Sequence, residues 1–553
     1  MARASAVLAL VVAVAAGLLL VSGGSDADPR TPAGLPGLPV PFLGTAVVGE
    51  GGLTAAVDVY GDVVDLRRSP AGPALLAVPA ARQAAGTVAP AMAIVPRLRL
   101  GDGRQLPFWR ADAVGQRYLP GTNVLVTTAR FGRLRASVTY AAGGRRLACL
   151  TTVATPPMNE EGGSASVAIG LPGSDGATVA PALRCNDPAA HSAIASAARS
   201  DRRWLVASAP LGAEAPAWAG TMYRRSLLVL RALTDRRSGA VAAGARDGWA
   251  YVWPRDAATG ALAFQAAGHE REARRAARFL TGIDLGAAAR FHGDGSPVPG
   301  RAAQGDAAGW VAVASAGAAE ALDATPGAQP SASSTEAAAS SPDAEPPRDG
   351  ASPANTVRAW LDRADYQEKA PRDYLGNAIA ASALDTHAQR RTAVATIARA
   401  FGGSRGLVRV ADDPSSGLDS AAAWAVRPFA LPRLYPAARV TLRRLLAGGS
   451  RFGIVPSADW PQRDPWTAPT AWSAWSFAAL ARADARSGRG ALARADRRAA
   501  LTPIADLRRA ATPLDTLPER VDFRTGIPRS TTPLAWSHAF AILALRELWP
   551  ADR

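Results

Sequence analysis

Lysine is almost missing from this chain. Of 553 residues only Lys369 is a lysine, although Lys and Arg together number 62 against 46 Asp and Glu, for a formal net charge of +16. The positive charge is therefore arginine, spread through alanine-rich segments among aspartates. A nucleic-acid footprint gathers its cations into one patch or stripe. The arginine pairs here are short and dispersed, so nucleic acid is set aside as a partner. Cysteine is scarce too, with only Cys149 and Cys185. In an oxidising compartment the two can pair and close one loop; the alternative is two buried free thiols. The five histidines lie far apart and no Cys/His cluster has metal-ligand spacing, so no metal and no cofactor is expected.

The one long apolar run stands at the start, from about Ala6 to Val21, after Arg3 and before the small residues Ser25-Asp26-Ala27. It is long for the core of a signal peptide and short for a comfortable spanning helix. Residues 1–27 read as a signal peptide or an N-terminal membrane anchor. Either way the bulk of the chain is expected outside the cytoplasm, secreted or attached to the outer face of the membrane.

What the chain does have is the makeup of a folded protein, 48% hydrophobic and 20% charged, in a length that calls for two domains. Residues 30–215 read as β. "LTAAVDVYGDVVDLRR" alternates apolar and polar residues, and "NVLVTTARFGRLRASVTYAAGGRRLACLTTVAT" looks like strands broken by Gly-containing turns. An antiparallel β-sandwich is expected there. From Trp218 to the end, 218–553, the periodicity is helical, as in "TMYRRSLLVLRALTD" and "YLGNAIAASALDTHAQRRTAVATIARAF". A Pro/Ser/Ala-rich stretch at 323–353 lacks apolar anchors and reads as a disordered surface insertion.

Eleven of the fourteen tryptophans lie at or beyond Trp249, within the helical part. Tryptophan packs helices, and it also suits the C–H face of a sugar while its indole N–H donates. Its placement favours the second use. Trp249 and Trp253 flank an Arg-Asp pair in "GWAYVWPRDAATGAL", Trp466 sits in a Pro/Asp loop and Trp536 in "PLAWSHA", each at an expected loop-to-helix junction. Arg255 and Asp256 are candidates for sugar hydroxyls, walled by Trp249, Tyr251 and Trp253.

These segments resemble the glucoamylase and glucodextranase family (glycoside hydrolase family 15). "YVWPRDAATGALAFQAAG" is similar to the family's aromatic-X-W-X-R-D motif. "QGDAAGW" resembles its Q-x-D-x-x-G segment and brings in Gln304 and Asp306. "PQRDPWTAPTAWSAWSFAAL" and "LPERVDFRTGIPRSTTPLAWSHAFAILA" follow in the family's order. The resemblance implies an N-terminal antiparallel β-sandwich followed by an (α/α)6 barrel, and an inverting glycoside hydrolase acting on α-linked glucosides. Such chemistry uses an acid and a base across a cleft, roughly 6.5–9.5 Å apart. The resemblance implies Glu519 in "LPER" as the base. In "DYQEKAPRDYLGNAIAASAL" it implies Glu368 as the acid and Asp365 as its support, with Gln367 where the family has tryptophan and Lys369 where it has a second glutamate. Both departures favour the ionised form of an acid that must hold its proton. The alternative they raise is a catalytically degenerate carbohydrate-binding relative at the cell envelope. The family's arginine ahead of the loop into "DPWTAPTAW" is replaced by Ile454 and Val455, leaving Arg451 or Arg463 to supply that contact. An oligo- or polysaccharide is the expected partner; linkage and oligomeric state stay open.

Overall fold

The computed structural model describes residues 45–79, 92–154, 165–173, 176–323 and 374–551. The expected signal or anchor at 1–27, the insertion at 323–353 beyond Asp323, and Asp365 and Glu368 fall outside them.

The first part is built from antiparallel sheets. Strands β1 (Ala46–Gly49), β2 (Thr54–Val57), β3 (Val63–Arg67) and β4 (Ala74–Ala77) form one sheet in chain order. A second carries β7 (Ala113–Tyr118), β8 (Leu125–Phe131), β9 (Leu134–Gly143) and β10 (Arg146–Ala154), with β12 (Leu183–Cys185) added in parallel beside β10. Between them, β5 (Val95–Arg99) pairs with β6 (Gln105–Pro107) and β11 (Ser166–Gly170). The alternation in β8 decides which face is inside: Leu125, Thr127 and Ala129 are buried, Thr128 and Arg130 exposed. Cys149 and Cys185 stand opposite each other where β10 meets β12 and are joined as a disulfide, their Cα atoms 4.5 Å apart.

One expectation needs correcting here. The span 30–215 is not all β, because Pro188–Val206 is a helix of 19 residues packed on β9 and β10. Asp187 caps it, accepting from Ala190 N at 2.6 Å, and Pro188 supplies a ring already set for the first turn. Its many alanines and arginines fit the helix better than a strand.

The second part is a ring of helices in which inner and outer members alternate along the chain. Six segments follow one another round the inside: Pro254–Ala266, Ala307–Asp323, Leu375–Ala381, the 3₁₀ turn Ser420–Ala425, Thr467–Arg486 and Ala535–Leu548. Each touches the next, and the last packs back on the first, so the ring is closed. Ala217–Leu233, Glu270–Thr281, His387–Ala400, Tyr435–Ala447 and Gly490–Ala510 lie outside.

Burial in each helix follows its sequence. Glu270–Thr281 hides only Ala273, Ala276, Ala277 and Leu280, a stripe at helical spacing, and turns its arginines outward. Thr467–Arg486 is buried almost all round, with Ala and Ser between its tryptophans to let neighbours approach. Within the helical segment "YLGNAIAASALDTHAQRRTAVATIARAF" the chain ends Leu375–Ala381, turns, and restarts at Thr386, whose side chain and Gln389 form a capping box. A further departure is a hairpin inside the helical part, Gly406–Val410 with Asp413–Leu418.

The two parts share one continuous apolar core. Polar contacts fasten the seam. Asn123 donates to Gly49 O at 3.0 Å and to Leu228 O at 2.8 Å, Arg225 donates to Asn123 Oδ1 at 3.0 Å, and the Arg225 guanidinium lies 3.7 Å from the centre of the Tyr118 ring.

Candidate active site

Inner segments and their loops enclose a cleft of about 710 Å³, its open mouth included. Its depth is aromatic. Trp424, Trp472 and Trp536 are buried and meet edge to face, with ring centres 5.3 Å and 5.4 Å apart. Trp460 and Trp466, both half-buried, make a second edge-to-face pair at 5.4 Å nearer the mouth.

All five of these tryptophans have a buried indole N–H with no partner among the described residues. Asp306 Oδ1 and Ser420 Oγ, in the same lining, are likewise buried without a partner. A buried polar atom left unpaired costs about 1–3 kcal/mol. Seven in one wall mark a surface shaped for something that both donates and accepts between apolar faces.

The floor is charged. Asp306 Oδ2 takes a hydrogen bond from Arg255 Nη1 at 2.7 Å, and the Arg255 guanidinium stacks 4.4 Å from the centre of the Trp536 ring. Pro254 opens the helix that holds Arg255 and Asp256, with Arg255 Nε 3.9 Å from Asp256 Oδ2. Asp306, Trp466 and Trp536 thus line the cleft, while Arg255 bears on it from behind through Asp306 and Trp536. Asp256 is buried beside Arg255, and Gln304 is buried two residues before Asp306. The remaining aromatics of the opening motif are outside the lining. Trp249 packs under Gly244, Tyr251 meets His292 edge to face, and Trp253 lies against Arg301.

Glu519 sits on a braced loop beside this wall. Its N–H donates to Thr531 O at 2.9 Å and its carbonyl accepts from Thr467 N at 3.0 Å, one residue past Trp466. Thr467 Oγ1 donates to Pro518 O and lies 2.8 Å from Ser537 Oγ. Leu517 N donates to His538 Nε2 at 2.9 Å, so the ring proton stands on Nδ1, 2.9 Å from Ser226 Oγ. Burial pushes the His538 imidazole down to about 3, which keeps it neutral in this role. Ser530 Oγ donates to the Glu519 carboxylate.

The lining also holds residues that the sequence did not single out. Asp419 caps the turn Ser420–Ala425, accepting from Ala421 N at 2.8 Å. Burial pushes its carboxyl up to about 7, against the lowering pull of that bond and of Arg409. Arg409 donates to Asp459 Oδ2 at 2.8 Å and to Tyr374 Oη at 2.9 Å. Arg451 and Arg463 lie instead over the Phe452 and Phe523 rings and are not in the lining. The strand-like alternation of "GLVRV" was the available signal for Arg409. Trp424 and Trp472 sit in apolar helical runs and gave none. Among the described residues no group of His, Cys, Asp or Glu has the arrangement to hold a metal ion.

No family model and no curated protein matches the sequence. Solved structures do. A crystal structure of bacterial glucoamylase complexed with acarbose superposes over 95% of this chain and 96% of its own, with a TM-score of 0.56 at 12% identity. A glucoamylase from Saccharomycopsis fibuligera covers 60% of this chain and 94% of its own, at a TM-score of 0.46 and 14% identity. From its N-terminal sheets through its closed ring of alternating helices, the chain has the fold of a bacterial glucoamylase.

Proposed function

We propose that the protein is an inverting glycoside hydrolase acting on α-linked glucosides, with Glu519 as general base and Glu368 as general acid. The observation that carries this reading is the cleft: tryptophan rings set edge to face, with unmatched donors and acceptors between them, beside the loop that holds Glu519. A sugar ring offers apolar C–H faces and a belt of hydroxyls that both give and take hydrogen bonds, which answers both halves of that wall. The bacterial glucoamylase of the same fold is complexed with acarbose, in keeping with a saccharide in this position.

In this mechanism the acid protonates the leaving oxygen while Glu519 holds a water on the other face of the sugar. Ser530 donates to the Glu519 carboxylate and helps to hold it in place for that water. Arg255 holds Asp306 in place, and Asp306 Oδ1 accepts from a sugar hydroxyl. The same reading places the chain in an oxidising compartment outside the cytoplasm, which the Cys149–Cys185 disulfide supports.

The test is glucose release from maltooligosaccharides, isomaltooligosaccharides and trehalose, with product anomers followed by polarimetry. β-Glucose whose release is abolished by Glu519→Gln and by Glu368→Gln establishes the pair and names the linkage. Activity that survives Glu368→Gln overturns the acid assignment. Sugar binding with no turnover on any of the three assigns a degenerate binding protein instead.

A further inference from the structure

The cleft has a gradient of burial along its length. Trp424, Trp472, Trp536 and Asp306 are at most 6% exposed, whereas Trp460, Trp466 and Arg409 towards the mouth are half-buried and Asp459 is exposed. If a terminal sugar fills the buried end, the unit linked to it meets this rim. The rim's one arginine comes from the hairpin Gly406–Val410 with Asp413–Leu418, an element no helical ring requires.

Arg409 is held for such a contact. Nη1 donates to Asp459 at 2.8 Å and to Ser457 Oγ at 3.4 Å, and Nη2 donates to Tyr374 at 2.9 Å. Its guanidinium lies 5.2 Å from the Tyr374 ring centre and 5.9 Å from that of Trp460. A guanidinium has five N–H donors, and three bonds leave others for a ligand. Asp459 offsets its charge, so the pair suits a neutral hydroxylated unit rather than an anion. The fork is fixed in advance by two chain segments besides its own hairpin, which removes most of the side-chain ordering cost that a free arginine bears on binding.

We infer that Arg409, fixed between Asp459 and Tyr374 on the hairpin, is a specificity-determining residue that binds the hydroxyls of the second sugar unit. The inference rests on the carbohydrate reading above. It also answers the question left by Ile454 and Val455: the cation of the cleft is supplied by a different element from either expected arginine.

The experiment compares Arg409→Met and Arg409→Lys with the wild type on maltose, maltotriose and α-glucosyl fluoride, which presents a single sugar. The expected result for Arg409→Met is a loss of kcat/KM on maltotriose about tenfold larger than on the fluoride, carried mainly by KM, with partial recovery in Arg409→Lys. Equal losses on all three substrates, or none, overturn the inference. Should Arg409→Met not fold, Asp459→Asn keeps the arginine but removes its brace; the same pattern in weaker form is expected, and an unchanged KM for maltotriose overturns the inference. If the wild type cleaves none of the three, the hydrolase reading has failed. Tryptophan fluorescence then decides: quenching by maltotriose that Arg409→Met abolishes supports the contact, and no quenching in the wild type refutes it.

Discussion

Removing the Asp306 carboxylate should damage the protein more than removing the whole ion pair. Arg255 and Asp306 are bonded at 2.7 Å with side chains only 7% and 1% exposed, and Trp536 covers the guanidinium at 4.4 Å. Breaking one partner of such a pair costs about 3–5 kcal/mol, because an ion is left uncompensated away from water. Asp306→Ala leaves Arg255 to Asp256, 3.9 Å away, which places the expected loss near the lower bound, about 3 kcal/mol. The double variant Arg255→Met/Asp306→Leu removes both ions and restores apolar volume, so most of the stability should return. Its sugar binding should not, since Asp306 Oδ1 goes with the pair. Urea unfolding followed by tryptophan fluorescence at pH 7, with maltotriose titrations on the same samples, reads both effects. A loss below about 1 kcal/mol in Asp306→Ala, or a double variant as unstable as the single, would refute the reasoning.

Three further outcomes follow from the geometry. Asp419 has its folded-state carboxyl raised by burial to about 7 from an ordinary 3.8, so the folded protein holds a proton that the unfolded chain releases. Stability therefore falls as pH rises through that window, and Asp419→Asn should gain about 3 kcal/mol on the wild type between about pH 5 and pH 8, measured by urea midpoints at each pH; parallel curves would sink the idea. His538→Ala frees Leu517 N and with it the loop of Glu519. On the order of a tenfold to hundredfold drop in kcat with little change in KM is expected from steady-state kinetics, and a drop confined to KM would contradict the bracing role. Cys149 and Cys185 close a loop of 36 residues, so their joint replacement by serine should cost about 4 kcal/mol, read as a fall in the urea midpoint; an unchanged midpoint would contradict it.

The order of the fold was readable because its signals are local. Period-two alternation marks β8 and β9, and a stripe of small apolar residues marks Glu270–Thr281. The floor of the cleft was readable from short motifs, since Asp306, Trp466 and Trp536 each stand at a turn into an inner helix. What escaped depends on contacts distant in sequence. Trp424 and Trp472 look like helix packing until ring closure sets them edge to face in the cleft lining. Arg409 becomes a site residue only because Tyr374, 35 positions earlier, and Asp459, 50 positions later, converge on it. The helix Pro188–Val206 was taken into the β region because the turn-rich text around it outweighed its own alanine content. Trp249 and Trp253 stand beside the right motif, yet neither ring is in the cleft lining: Trp249 packs at Gly244 and Trp253 against Arg301, while Arg255 reaches the cleft through Asp306 and Trp536.

Closure of the ring by Ala535–Leu548 has a bearing on how the protein is made. That helix is the last of the inner set to leave the ribosome, and it is the one that joins Thr467–Arg486 to Pro254–Ala266. Until it arrives, Thr467–Arg486 and Pro254–Ala266 have their earlier neighbours but lack the helix that joins them, and the buried faces they turn to it stay uncovered. The loop of Glu519 cannot be pinned either, since Ser537 and His538 belong to the same late helix. Synthesis thus closes the ring and braces the Glu519 loop in one step. A nascent chain arrested before residue 535 should be sticky and inactive, a natural client for whatever holds unfinished proteins apart.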